Sequence, residues 1–177
     1  ATTNAIAIRA NTSIGSLYQF FPNKQAILDA LALRYQVQLS ALIEDTLDDE
    51  ASLQTVLSRL IDRVAEFYKN NRSFQPMFYA TQSSRTLSLI ADEMCKGIVA
   101  HVNKSCAHAA PDLDPALCEF YSTIIVFMMR SMIPLSHAEE QIYSTRVIPQ
   151  LKRMIFAYLA SINAFRELGF TFENESI

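Results

Sequence analysis

Glycine is almost missing from this chain: 3 residues in 177, with 6 prolines and no tryptophan. Strand-rich sandwiches and barrels need frequent turns, and glycine supplies their positive-φ positions, so an all-β architecture is excluded. Histidine and cysteine are equally sparse, at 3 each. Cys95, Cys106 and Cys118 lack C-x-x-C spacing. They are read as free thiols of a reducing compartment, not as a zinc site or dithiol centre. Only Cys95, beside Lys96, has an immediate basic neighbour that would favour a thiolate. No glycine-rich phosphate loop, clustered His/Cys/Asp set or nucleophile–base pair stands out, so no catalytic residue, metal or cofactor is expected. No apolar run reaches the ~18 residues that span a bilayer, and no signal-peptide pattern is visible. The expected location is the cytoplasm, with no membrane partner.

What the chain does have is apolar residues at helical spacing. Half of its residues are hydrophobic, and mean hydropathy is +0.12. The expected fold class is all-α. A helix over about Asn23–Asp48 carries Ile27, Leu28, Leu31, Leu39, Leu42 and Ile43, and the acidic run Asp48, Asp49, Glu50 marks its end. Ser52 caps a second long helix, Leu53–Asn70, with Val56, Leu57, Leu60, Ile61, Val64 and Phe67 or Tyr68 on its apolar face. After a polar turn, Pro76 opens a short helix to about Thr81, and another helix spans about Ser84–His108. Asp114 and Pro115 cap and open a helix to Met132 or Ile133. A final helix is expected over His137–Leu168, kinked or split at Pro149, with a frayed tail from Glu173.

The segment 2–28, TTNAIAIRANTSIGSLYQFFPNKQAIL, is organised differently. Thr2 or Thr3 caps a short helix whose Ile6 and Ala10 share a face. Asn11, the non-glycine residue that best tolerates positive φ, reverses the chain. Ser13 caps a second helix, Ile14–Phe20, with Leu17 and Phe20 or Phe21 buried and Tyr18 and Gln19 facing out. Gly15 and Ser16 are too small to fill a core but let the backbone approach a surface such as a DNA groove. Pro22 ends the helix, Asn23 caps the next, and Lys24 lies in its first turn. This is the pattern of a helix-turn-helix unit. Charge is divided accordingly. Residues 1–35 hold Arg9, Lys24 and Arg34 against Asp29, while the remainder holds 12 basic and 17 acidic residues. A positive end on an acidic body orients a molecule on DNA.

These motifs resemble the TetR family of bacterial transcriptional regulators. T-T-x-x-I-A-x-R-A is similar to the second helix of the family's DNA-binding domain, S-x-G-S/T-L-Y-x-x-F to its recognition helix, and P-N-K to the opening of its long fourth helix. The resemblance implies that Thr3, Tyr18 and Lys24 contact phosphates, and that Ser13, Ile14, Gly15, Ser16 and Gln19 face the bases. A Gln amide is suited to an adenine edge. Asn11 stands where the family often has Gly. The family opens with an amphipathic first helix, which the resemblance implies this chain lacks. The expected organisation is a helix-turn-helix DNA-binding domain over 1–35 and a ligand-binding and dimerisation domain over 36–177.

The body supplies two further expectations. Residues 117–133 are nearly continuous apolar sequence, so their helix is either central or covered by a second subunit. The resemblance implies a homodimer through the two C-terminal helices, with L-K-R-M-I-F-A-Y-L similar to the family's last helix. Two reading heads about 34–36 Å apart then suit a palindromic double-stranded operator. A pocket for a small apolar or aromatic effector is assigned to Phe74, Met77, Phe78, Met94, Ile98, His101, Tyr121, Ile124 and Met128, since Met and aromatic side chains suit such ligands. Arg130, inside the apolar stretch, is read as either an anion contact or half of an ion pair. The function expected is a DNA-binding regulator, a ligand-released repressor. The alternative is an all-helical interaction module that does not bind DNA, with 2–28 as scaffold.

Overall fold

The computed structural model describes residues 2–46, 51–71, 73–74, 76, 85–137 and 141–171. Every regular element among them is helical. Two short helices, α1 (Thr3–Arg9) and α2 (Ile14–Phe20), precede the long α3 (Lys24–Glu44). The body continues with α4 (Leu53–Asn70), α5 (Arg85–Ala109) and α6 (Pro115–Met132). A 3-10 turn (Ile133–His137), α7 (Gln141–Ser161) and a 3-10 segment (Asn163–Leu168) complete it.

Local chemistry sets most boundaries. Thr2, Ser13, Asn23, Ser52 and Asp114 each turn a side-chain oxygen onto a backbone N–H of the helix they open. Such a cap satisfies an otherwise orphaned donor and stabilises a helix by about 1 kcal/mol. Asn11 takes φ 50°, the left-handed turn its small polar side chain tolerates.

α4 is the central element. Leu57, Leu60 and Ile61 are fully buried, and α4 packs on α3, α5, α7 and the 3-10 turn. Burial of each such side chain contributes about 1.5–3 kcal/mol. α5 and α6 form a hairpin around the short connection 110–114, and α3 lies along α5. Phe74 ties these layers with its ring. It meets Tyr35 of α3 at 5.4 Å and Phe67 and Tyr68 of α4 at 5.1 and 4.8 Å, all edge-on, the geometry aromatic quadrupoles favour.

The structure corrects the extent of the last helix, excludes a split at Pro149 and decides between Phe20 and Phe21. In α1 the buried residue is Ala7; Ile6 is half-buried and Ala10 exposed. Past the end of α1 the chain turns at Asn11, and the Ala7 carbonyl accepts the Thr12 N–H at 3.0 Å. In α2, Leu17 is buried and Phe21 half-buried, while Phe20 is 78 % exposed. The last helix does not run from His137 to Leu168. His137 ends the 3-10 turn, α7 stops at Ser161, and Ile162 is extended so that Phe165 folds back into the core. Gly169, at φ 62°, closes the segment. Pro149 does not split α7, which continues through it. The acidic run 48–50, most of the short helix from Pro76 and the tail from Glu173 lie outside the described residues.

By length and hydropathy alone, Lys24–Glu44 and Pro115–His137 would suffice to cross a bilayer. Each instead lays one face on the core, through Tyr35, Leu39 and Ile43 in the first and Ile125, Val126 and Met129 in the second.

Candidate nucleic-acid interface and effector cavity

The helix-turn-helix face is built from short-range bonds. Ser13 Oγ accepts the Ser16 N–H at 2.9 Å and also pairs with Ser16 Oγ at 2.9 Å, so the Ser13 side chain is engaged in opening α2. Thr3 Oγ1 and Tyr18 OH are hydrogen-bonded at 3.2 Å, which ties the start of α1 to the middle of α2. Asn23 Oδ1 accepts from the Ala26 N–H at 2.9 Å. Ser13, Ile14, Gly15, Tyr18, Gln19 and Lys24 are all exposed, with Thr3 and Ser16 half-buried. Arg9 adds an exposed positive charge in the last turn of α1.

Gly15 is informative within this surface. A Cβ there would meet only Ser13 Oγ, at 3.7 Å, an ordinary contact. Its φ is not in the left-handed region, where glycine alone is at ease. Glycine inside a helix costs about 0.5–1 kcal/mol relative to alanine. Among the described residues, neither packing nor backbone conformation calls for glycine at this position.

The effector residues expected from sequence fall into separate groups. Phe74, Met94 and Ile98 line one cavity of about 30 Å³. Its other walls are Leu39 of α3, Val64 and Tyr68 of α4, Cys95 of α5, Val126, Met129 and Arg130 of α6, and Ile133. Met77 and Phe78 lie outside the described residues. His101 is turned elsewhere. Thr46 Oγ1 gives its proton to the Ile43 carbonyl at 2.6 Å, so at the 2.9 Å contact His101 Nε2–H is the donor to Thr46. Burial, reinforced by the positive charge of Lys104, holds the His101 pKa below its ordinary value. Tyr121 meets Tyr158 and Phe165 edge-on at 6.2 and 6.4 Å, away from the cavity lining. Ile124 and Met128 are half-buried on α6 and are not part of that lining either.

The charged feature of the cavity is Arg130, whose Nη1 lies 3.5 Å from Cys95 Sγ. Burial raises the Cys95 pKa, while the guanidinium pulls against that rise. Cys106 and Cys118 are buried, and burial pushes the Cys106 thiol up to about 12. All three are free thiols. No group of three or more His, Cys, Asp or Glu that could hold a metal occurs among the described residues.

Sequence reasoning missed Leu39, Val64, Tyr68, Cys95, Val126, Met129 and Ile133 as cavity walls. Five are aliphatic or thioether side chains at ordinary core positions, and nothing local separates a wall from the rest of the core. Arg130, interrupting an apolar run, was the only detectable signal.

Two family models match the chain. Residues 1–31 match "Bacterial regulatory proteins, tetR family", and residues 52–159 match "Tetracyclin repressor-like, C-terminal domain". No curated protein matches the chain significantly.

Proposed function

The chain belongs to the TetR family of DNA-binding transcriptional regulators, and from that premise we propose that it is a ligand-released repressor binding a palindromic operator as a homodimer. The reading uses a DNA-binding head over residues 1–35 and a ligand-binding, dimerising body over 36–177. Regulators of this family are generally non-enzymatic and soluble, and we assign the chain no catalytic step and a cytoplasmic location.

One observation carries the mechanism: α3 serves both functions. Its N-cap, Asn23, follows the recognition helix directly, and its Leu39 forms a wall of the cavity. Fifteen residues of helix separate the cavity wall from Lys24, about 22 Å at 1.5 Å per residue. A displacement at Leu39 is therefore delivered to the DNA-reading end through a rigid element. The cavity, at about 30 Å³, has room for one or two water molecules, whereas drug-sized ligands occupy ~300–1,000 Å³. An effector must therefore separate these walls. If the separated form holds the two heads at the wrong spacing, ligand and DNA oppose each other reciprocally. Phe74, Met94 and Ile98, which line the closed cavity, are the assigned ligand contacts once its walls separate. His101, Tyr121, Ile124 and Met128 would be reached only by a larger opening. Thr3, Tyr18 and Lys24 are assigned to phosphates, and Ser13, Ile14, Gly15, Ser16 and Gln19 to the groove.

The homodimer is assigned to α6 and α7. Leu117, Phe120, Ile124 and Phe127 share one face of α6, with Phe120 and Phe127 56 % and 55 % exposed. Ile142, Tyr143 and Met154 are exposed on α7. Two copies of this apolar pair of helices would close into a four-helix bundle. The test is Phe127→Glu, read by sedimentation and by fluorescence anisotropy on a palindrome and its half-site. The unmutated protein should sediment as a dimer and prefer the palindrome. The variant should sediment as a monomer and lose that preference. A monomeric unmutated protein that binds both DNAs equally would contradict the reading.

A further inference from the structure

We propose that Thr3 is a positioning residue for Tyr18: its hydroxyl donates to the Tyr18 phenol oxygen, so that the phenol proton is held outward for one phosphate oxygen of DNA. The inference rests on the phosphate role assigned above to Tyr18 and deepens it, giving the two hydroxyls one phosphate between them.

The two hydroxyls lie 3.2 Å apart and join residues 15 positions apart in the chain. Neither is engaged in opening a helix. Thr2 Oγ1, not Thr3, accepts the Ala5 N–H at 3.2 Å, and Ser13 Oγ opens α2. Thr3 is half-buried in the first turn of α1, while Tyr18 is 47 % exposed. Tyr18 follows the buried Leu17, so α2 is anchored where its phenol faces outward.

The number of protons limits what the pair can do. Each hydroxyl has one. One proton lies between the two oxygens, so one remains for an outside acceptor. A DNA phosphate oxygen accepts and does not donate. The pair therefore offers one donor to one phosphate, not one donor each to two. A phenol is more acidic than an aliphatic alcohol and is the stronger donor to an anion. The chain of bonds thus runs from Thr3 to Tyr18 to phosphate. A hydroxyl that already accepts a bond is polarised into a better donor, by about 10–30 % per bond in such a chain. An exposed bond between neutral hydroxyls adds little to folding, because water competes for both groups. Its effect is on the direction of the phenol proton, and so on DNA affinity.

The experiment is fluorescence anisotropy of the full-length protein on a duplex from the DNA flanking its own gene. Tyr18→Phe should cost about tenfold in affinity, as loss of a hydrogen bond to a charged acceptor does, and Thr3→Val about two- to tenfold. Thr3→Ser should restore the affinity. In the Tyr18→Phe background, Thr3→Val should cost nothing further. No charge is removed, so the salt slope should stay unchanged in every variant, and so should the melting temperature of Thr3→Val. The duplex is then made with one neutral methylphosphonate at a time. Thr3→Val and Tyr18→Phe should lose sensitivity at the same phosphate. Additive losses, or lost sensitivity at two different phosphates, would overturn the proposal in favour of independent contacts. A lowered melting temperature that Thr3→Ser does not repair would overturn it in favour of a structural role. Thr3→Ala is the second variant should Thr3→Val not fold. Full affinity in Tyr18→Phe would overturn the proposal together with the phosphate role of Tyr18, whereas a Tyr18 contact that persists unchanged in Thr3→Val would overturn the positioning role alone.

Discussion

His101 donates its Nε2–H to Thr46 Oγ1 across 2.9 Å, joining the middle of α5 to the chain just past the C-terminal end of α3. Both residues are buried, at 7 % and 2 % exposure, and Thr46 passes its own proton to the Ile43 carbonyl. The bond therefore anchors the body end of the helix that carries the reading head. Thr46→Val keeps the shape but strips His101 Nε2–H of its acceptor, while the Ile43 carbonyl keeps the backbone N–H of residue 46 at 2.9 Å. Leaving a buried polar group unsatisfied costs about 1–3 kcal/mol, so the variant should lose about that much stability in urea unfolding. Unchanged stability would mean that the bond contributes nothing net.

The same histidine gives the fold a pH dependence. Burial lowers the folded-state pKa of His101, and burial likewise lowers that of His137. A lowered folded-state pKa means the unfolded chain binds the proton more tightly. The stabilising contribution is therefore complete above the ordinary value of 6.5 and is lost as pH falls below it. The melting temperature should drop between pH 7.5 and pH 5.5, and His101→Gln should flatten part of that slope. Equal slopes in the two proteins would remove His101 from the account.

Gly15→Ala separates folding from DNA recognition. Because a Cβ at this position meets nothing closer than 3.7 Å, alanine should stabilise the protein by up to about 1 kcal/mol. The methyl group would stand on the face assigned to the groove, so DNA affinity should fall while stability rises. A rise in both would show that Gly15 does not face DNA.

Lys24 and Gln19 should differ in kind. Lys24→Ala should weaken all DNA sequences alike and reduce the slope of log affinity against log salt by about one. Gln19→Ala should leave that slope unchanged and relax sequence preference at one position in each half-site. Anisotropy titrations on variant operators at several salt concentrations distinguish the two, and an unchanged slope in Lys24→Ala would contradict its phosphate role.

Much of the fold is readable from the chain because its decisive interactions are local. The caps at Ser13, Asn23, Ser52 and Asp114 act within three residues of themselves, and the turn at Asn11 depends on one side chain's tolerance of positive φ. The residues assigned to DNA are gathered by two short helices, one turn and the start of α3, so their grouping is legible for the same reason. Legibility fails where tertiary packing decides. Nothing near Ile162 marks an end to α7; the helix stops because Phe165 gains a place in the core. Phe20 and Phe21 are adjacent and equally apolar, and only the approach of neighbouring helices determines which is exposed. The cavity brings Leu39, Val64 and Met129 together from three helices, so no spacing in the sequence could have assembled it.

The measurement that bears most directly on the account is binding of the full-length gene product to DNA flanking its own gene, at two salt concentrations. The account predicts saturable binding at a palindromic site, weakening steeply with salt as released counterions require. Absence of sequence-specific binding at either concentration, with the fold intact, would contradict it and favour a helical interaction module in which residues 2–28 are scaffold.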